Sequence, residues 1–137
     1  MNEIIVTAEI LDCWFELIDK DLGTFTNSEN LRTMLDNLVR LKMLKCFTIE
    51  DTGIFAYLIS GDFMGGKTLS EILIYIRPEY RGSLKLLRQY INTAEQIAVS
   101  NGCNSIKIGA NIKFKDSSFI KLLKRWGYED DTVAKYL

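Results

Sequence analysis

The apolar run Ile72-Leu73-Ile74-Tyr75-Ile76 meets a breaker, Arg77-Pro78-Glu79-Tyr80-Arg81-Gly82, and a long stretch of helical period follows. A buried strand that turns tightly into a helix aims the helix N-terminus at whatever lies beyond the strand's carboxyl end. The first turn of a helix has backbone N–H groups without intrahelical acceptors, and the aligned peptide dipoles place partial positive charge there. Such an end suits a phosphate. Arg81, Gly82, Ser83, Leu84 and Lys85 are the residues at that turn.

Other chemistries are excluded by what the chain lacks. It contains no histidine, and Cys13, Cys46 and Cys103 stand far apart with no CxxC pair. The common zinc constellations, Ser-His-Asp and Cys-His catalysis all need residues that are missing. Three free, mostly buried thiols are the expectation, and they suit a reducing compartment. With 17 basic and 18 acidic residues the net charge is −1, which argues against bulk affinity for nucleic acid. The N-terminus MNEIIVTAEI has no basic leader segment. No apolar run approaches the roughly 18 residues a membrane span needs. A cytoplasmic protein without a metal or a membrane partner is expected.

A chain of 137 residues, 47% apolar and 26% charged, is expected to form one soluble domain over residues 1–137. Ile10, Leu11, Trp14, Phe15, Ile18 and Leu22 recur at helical spacing, so a helix is predicted over about Thr7–Leu22, stopped by Gly23. Thr26 with Glu29 forms a capping box for a second helix, about Asn27–Met43. Two amphipathic helices need a flat surface to cover. Leu44–Glu50, Ile54–Ser60 and Leu69–Ile76 supply it as three strands, joined by a turn at Asp51-Thr52-Gly53 and a hairpin over Gly61–Lys67. A helix over Ser83–Ser100, capped by Asn101-Gly102, then leads to a strand at Ser105–Gly109. A strand–helix–strand unit of this kind makes the two strands parallel. A short helix carrying Phe119, Leu122, Leu123 and Trp126, capped by Asp116 or Ser117, precedes a last strand over Tyr128–Leu137. The predicted order is ααβββαβαβ, an α/β (α+β) mixed sheet with helices on both faces.

This order, with these residues, resembles the GNAT (Gcn5-related N-acetyltransferase) superfamily. Ile74-Tyr75-Ile76-Arg77-Pro78-Glu79-Tyr80-Arg81-Gly82 looks like the family's fourth strand running into its pyrophosphate loop. The helix ending in Asn101-Gly102-Cys103 before Ile106-Lys107-Ile108, and the closing segment Phe119–Tyr128, are similar to the family's later elements. The family loop reads Arg/Gln-x-x-Gly-x-Gly/Ala. Arg81 matches its first position, while Leu84 and Leu86 stand where glycines are expected. The loop is therefore degenerate, and PEYRGS without later glycines looks like variants from bacteriophages.

The resemblance implies a fold, an activity and a site. The fold is the acyl-CoA N-acyltransferase (GNAT) fold. The activity is transfer of an acetyl group from acetyl-CoA, a co-substrate, to a primary amine of a small molecule or protein. Acetyl-CoA would lie in a V between the fourth and fifth strands, along the backbone of Ile74 and Ile76. Arg81, Gly82, Ser83, Leu84 and Lys85 would line its phosphates, and Asn111 would contact its arm. Glu71 sits where some family members carry a general base; as an exposed strand residue it would carry no such role. The family's usual tyrosine acid is replaced by Leu123, with Tyr128 or Tyr75 as substitutes, although aromatics in apolar surroundings are more often core. The basic residues Lys107, Lys113, Lys115, Lys121, Lys124 and Arg125 read as a solvated face. Gly23-Thr24-Phe25-Thr26 is a candidate lip for the acceptor, with Trp14 and Phe15 nearby. The alternative is a catalytically inactive GNAT-fold structural or interaction protein, such as a phage virion component. A homodimer or larger assembly stays open in either case.

Overall fold

The computed structural model describes residues 2–4, 8–22, 28–61, 64–109 and 118–130. The chain divides into a unit of residues 1–107 and a unit of residues 108–137. The first unit holds β1 (Asn2–Ile4), α1 (Ala8–Leu22), α2 (Ser28–Arg40), β2 (Lys45–Thr48), β3 (Gly53–Gly61), β4 (Lys67–Ile76), α3 (Leu84–Ser100) and β5 (Ser105–Lys107). The second holds α4 (Ser118–Arg125).

The strands form one mixed sheet in the order β1-β2-β3-β4-β5. Pairing is antiparallel from β1 to β4, and β5 joins β4 in parallel. The predicted order lacks β1, a three-residue edge strand too short to show a period of its own. The turn between β2 and β3 lies slightly earlier than predicted. Glu50 and Asp51 both take positive φ, and the Thr52 N–H donates to the Ile49 carbonyl, the pattern of a two-residue type I′ turn. Tyr128–Asp130 are not strand, which corrects the start of the predicted last strand; the rest of that segment lies outside the described residues. So do the Gly23 stop, the Thr26 capping box, the Gly23–Thr26 lip and the Asp116 or Ser117 cap. Of the three cysteines only Cys46 is buried; Cys13 is exposed on α1.

Alternation along the strands gives the sheet two apolar faces. On one, Leu44, Cys46, Ile54, Ala56 and Tyr75 pack with Trp14, Phe15 and Ile18 of α1 and Leu35 of α2. Arg32 ties the two helices: it binds Asp36 at 2.9 Å and Asp12, and lies over the Phe15 ring. On the other face Phe47 stacks on Phe55 at 5.1 Å and on Tyr90 of α3 at 5.8 Å. The Tyr90 hydroxyl accepts from the Ile49 N–H and meets Thr52 Oγ1 at 2.9 Å. Thr52 spends its own proton on the Ile49 carbonyl at 2.6 Å, so Tyr90 donates to it. These bonds fasten the β2–β3 turn to α3, leaving the buried polar groups partnered.

All three helices with described C-termini end in the same way. The N–H groups of Lys42, Gly102 and Gly127 bond the carbonyls of Val39, Val99 and Lys124, and those of Met43, Cys103 and Tyr128 bond Leu38, Ala98 and Leu123. This is the Schellman pattern, whose turning residue is left-handed and usually glycine.

Candidate active site at the parting of two strands

β4 and β5 pair over three residues only, Thr68–Ser70 against Ser105–Lys107. β4 then continues to Ile76 while β5 ends. The edge of β4 beyond Ser70 thus has no paired strand on that side among the described residues. Glu71 is the first residue past the parting.

A bulge decides which way Glu71 points. Ala56 pairs with Leu73, but Tyr57 pairs with Glu71, so Ile72 is an extra residue in β4. Both Ile72 and Leu73 pack against the α1–α2 core. The insertion shifts the alternation by one. Without it Glu71 would share the face of Leu73 and Tyr75; with it, Glu71 stands beside Tyr57 on the aromatic face. By surface area Glu71 is half-buried, yet its carboxyl is recessed enough that desolvation pushes it up to about 8. No hydrogen bond or ion pair to its side chain occurs among the described residues.

The register also orients the backbone of β4. The Arg77 N–H donates to the Thr52 carbonyl at 2.9 Å. Antiparallel pairs alternate between bonded and non-bonded, so Tyr75 and Leu73 bond β3 while Ile74 and Ile76 turn their N–H and C=O groups to the open edge. The Ile76 carbonyl accepts from Arg81 Nε at 2.9 Å. Ile74 keeps its groups for that edge.

Beyond β4 a single 3₁₀ turn, Pro78–Tyr80, reverses the chain. Gly82 takes φ +92°, and an added Cβ would have nothing within 4 Å, so glycine serves the backbone angle here, not a steric need. Ser83 caps α3, its hydroxyl accepting from the Leu86 N–H at 3.1 Å. The Leu87 N–H bonds the Ser83 carbonyl. The Leu84 and Lys85 N–H groups are left at the mouth of the helix. The Leu84 side chain is 62% exposed, directed to solvent by its place in the first helical turn. Lys85 is exposed.

Arg81 has partners within the chain. Its guanidinium pairs with Asp21 of α1 and lies 5.2 Å from the Tyr75 ring centroid. The Arg81 hydrogen bond holds the Asp21 carboxyl below its usual range. Tyr75 is buried; desolvation, then the facing Asp21, push its hydroxyl up. Next to this, Arg77 lies 4.8 Å over the Trp14 ring and binds the Asp51 carboxylate at 3.2 Å. The two arginines clamp α1 to the loop after β4. Sequence reasoning missed Asp21, and the sole signal was an acid near the end of α1.

In the second unit Tyr128 is half-buried just past α4 and its N–H bonds the Leu123 carbonyl. Leu123 is buried. Asn111 lies outside the described residues. Among the described residues no group of His, Cys, Asp or Glu could hold a metal ion, and no helix is long and apolar enough to cross a membrane.

No protein-family model and no curated protein matches the chain. Solved structures do. A Pyrococcus furiosus protein, provisionally described as an acetyl transferase, superposes with TM-score 0.76 at 18% identity, over 99% of each chain. The aminoglycoside antibiotic 6'-N-acetyltransferase of Acinetobacter haemolyticus gives TM-score 0.66 at 18% identity, over 100% of this chain and 97% of that one. The AAC(6')-Iy structure in complex with the bisubstrate analogue CoA-S-monomethyl-acetylneamine gives 0.65 at 16%, over 99% and 96%. At such identities the likeness shows architecture, and this chain has the fold of the GNAT acetyltransferases.

Proposed function

We propose that the protein is an N-acetyltransferase that moves an acetyl group from acetyl-CoA to a primary amine of a small molecule or protein. The observation that carries this is the parting of β4 from β5 at Glu71, with a capped helix N-terminus at the far end of the same strand. AAC(6')-Iy, which shares the fold, is described with a CoA-based bisubstrate analogue, and that supports the choice of co-substrate.

The residues fit such a co-substrate. An extended amide-bearing arm would hydrogen-bond the open edge at Ile74. The Leu84 and Lys85 N–H groups and the Lys85 ammonium would take a diphosphate, with Gly82 and Ser83 shaping the turn. Arg81 would act by fixing the loop, its charge being answered by Asp21. The bound thioester supplies an activated carbonyl. The incoming amine must first lose a proton, and Glu71 would take it. A carboxyl raised to about 8 is a stronger base than an ordinary carboxylate, which narrows the gap to an alkylammonium to roughly two units. The amine nitrogen then bonds the acetyl carbon, the carbon–sulfur bond breaks, and the departing sulfur needs a proton. Tyr128 is proposed as its donor. A cytoplasmic setting follows from the co-substrate.

A catalytically silent GNAT-fold protein, such as a part of a phage particle, is the second reading. Arg81 satisfied within the chain and Leu123 in place of the expected tyrosine favour it.

An assay of free-thiol release from acetyl-CoA against a panel of primary amines tests the proposal. Turnover with at least one amine is expected, and Glu71→Gln should lower it by about a hundredfold while acetyl-CoA binding persists. Equal turnover in the variant would remove Glu71 from the mechanism. Tyr128→Phe should slow the reaction if that hydroxyl protonates the sulfur.

A further inference from the structure

At the opposite end of β4 from the phosphate loop lies a cleft of about 400 Å³. Lys42, Lys45 and Lys67 line it, with Met43, Ile59 and Asn101. No acidic residue is among its described lining residues. None of the three lysines has an ion pair among the described residues.

The three lysines are placed by fixed backbone. Lys45 opens β2 and pairs with Tyr57. Lys67 opens β4, and its N–H and carbonyl are both bonded to Asn104. Lys42 is the telling one. Of the three Schellman ends among the described residues, those of α3 and α4 turn on Gly102 and Gly127, whereas that of α2 turns on Lys42 at φ +57°. A side chain in the left-handed region is strained, and glycine would relieve it. Strain of this kind is kept where a side chain is needed.

Lysines beside helix C-termini can also serve only to offset the dipole. Here the terminal carbonyls have partners. Leu38 and Val39 accept from Met43 and Lys42, and Ile97 accepts from both the Asn101 N–H and its Nδ2 at 2.8 Å. Three positive charges then share one concavity with no carboxylate among its described lining residues. Met43 is 42% exposed, and Ile59 is half-buried; they give the cleft an apolar floor.

We propose that this cleft is a second ligand site, for a small polyphosphate with an apolar or aromatic body, as in a nucleoside diphosphate. The lysines meet the phosphates as point charges, and Met43 and Ile59 pack against the flat body. The volume lies in the range of small-molecule pockets.

The test is an ¹⁵N–¹H NMR titration of the whole chain with ADP at low salt, with inorganic pyrophosphate and adenosine as separate arms. Shifts at Lys42–Lys45, Ser60, Gly61 and Lys67 are expected with ADP, smaller ones with pyrophosphate. Lys45→Gln with Lys67→Gln should weaken ADP by about 25-fold, taking about fivefold for each exposed charge. Lys42→Gly should raise the melting temperature by roughly 3–5 °C and still weaken ADP about fivefold, so a loss of fold cannot explain the loss of binding. No shifts at millimolar ADP, shifts confined to Arg81–Leu86, or a Lys42→Gly variant that binds as well as the parent would each overturn the proposal.

Discussion

Glu71 owes its raised carboxyl to a missing partner and a recessed position. In the unfolded chain the group titrates at its ordinary value, 4.5, and in the folded protein at about 8. Its contribution to stability is therefore fully present below 4.5 and is lost as pH rises to about 8. Melting curves of Glu71→Gln and the parent should coincide at pH 4.5 and diverge by pH 8.5, the variant melting higher; a constant gap would contradict the burial. The same group sets the pH dependence of the proposed reaction, with kcat/KM rising through about 8 as Glu71 ionises. Asp21 has the opposite sign. Its carboxyl is lowered by Arg81, so its stabilising contribution holds above 3.8 and disappears as pH falls below it. Gly53 is a different kind of residue: a Cβ there would lie 2.2 Å from the Tyr75 carbonyl oxygen. Gly53→Ala should destabilise by about 2–4 kcal/mol, read by chemical denaturation, because strand backbone cannot retreat as a side chain can.

At the scale of elements, periodicity was a good guide wherever an element has one apolar face. α1, α2, α3 and the central strands fall within a few residues of their predicted bounds because Trp14, Ile18, Leu35, Ile91 and Ala94 repeat at the helical period and are buried. What hid was what breaks a period. The bulge at Ile72 sits within the run Ile72-Leu73-Ile74, where no polar residue marks the face, so the inversion that redirects Glu71 leaves no trace in composition. β1 is an edge segment of three residues, below the length at which alternation can be seen. The Asp21–Arg81 pair spans the chain from α1 to the loop after β4, and charges alone do not say which acid an arginine meets. This is why the bond that Arg81 makes between α1 and that loop was not legible in the sequence. Asp21→Asn should loosen that bond; hydrogen exchange should then rise in Pro78–Ser83 while the amides of β3 keep their protection. The helix start itself depends on Ser83. Ser83→Ala should cost about 1 kcal/mol and weaken any anion held at the Leu84 and Lys85 N–H groups.

At the scale of the molecule, the sheet supplies both halves of a single idea. One strand, β4, is bonded to β5 at its start, parts from it at Glu71, and ends at the capped turn into α3. The proposed ligand, with an amide arm and a diphosphate, would use two features along one strand: backbone groups at the edge and N–H groups at the helix mouth. The fold is that of acetyltransferases that differ from this chain at more than four positions in five, so architecture alone does not decide activity. Binding does. Calorimetric titration of the purified protein with acetyl-CoA measures it directly, and a ligand that binds only the folded state must also raise the melting temperature as it saturates. Saturable binding is predicted, weakened at least tenfold by Ser83→Glu, which sets a carboxylate at the helix mouth against the phosphates. No heat and no thermal shift at millimolar acetyl-CoA would contradict the account.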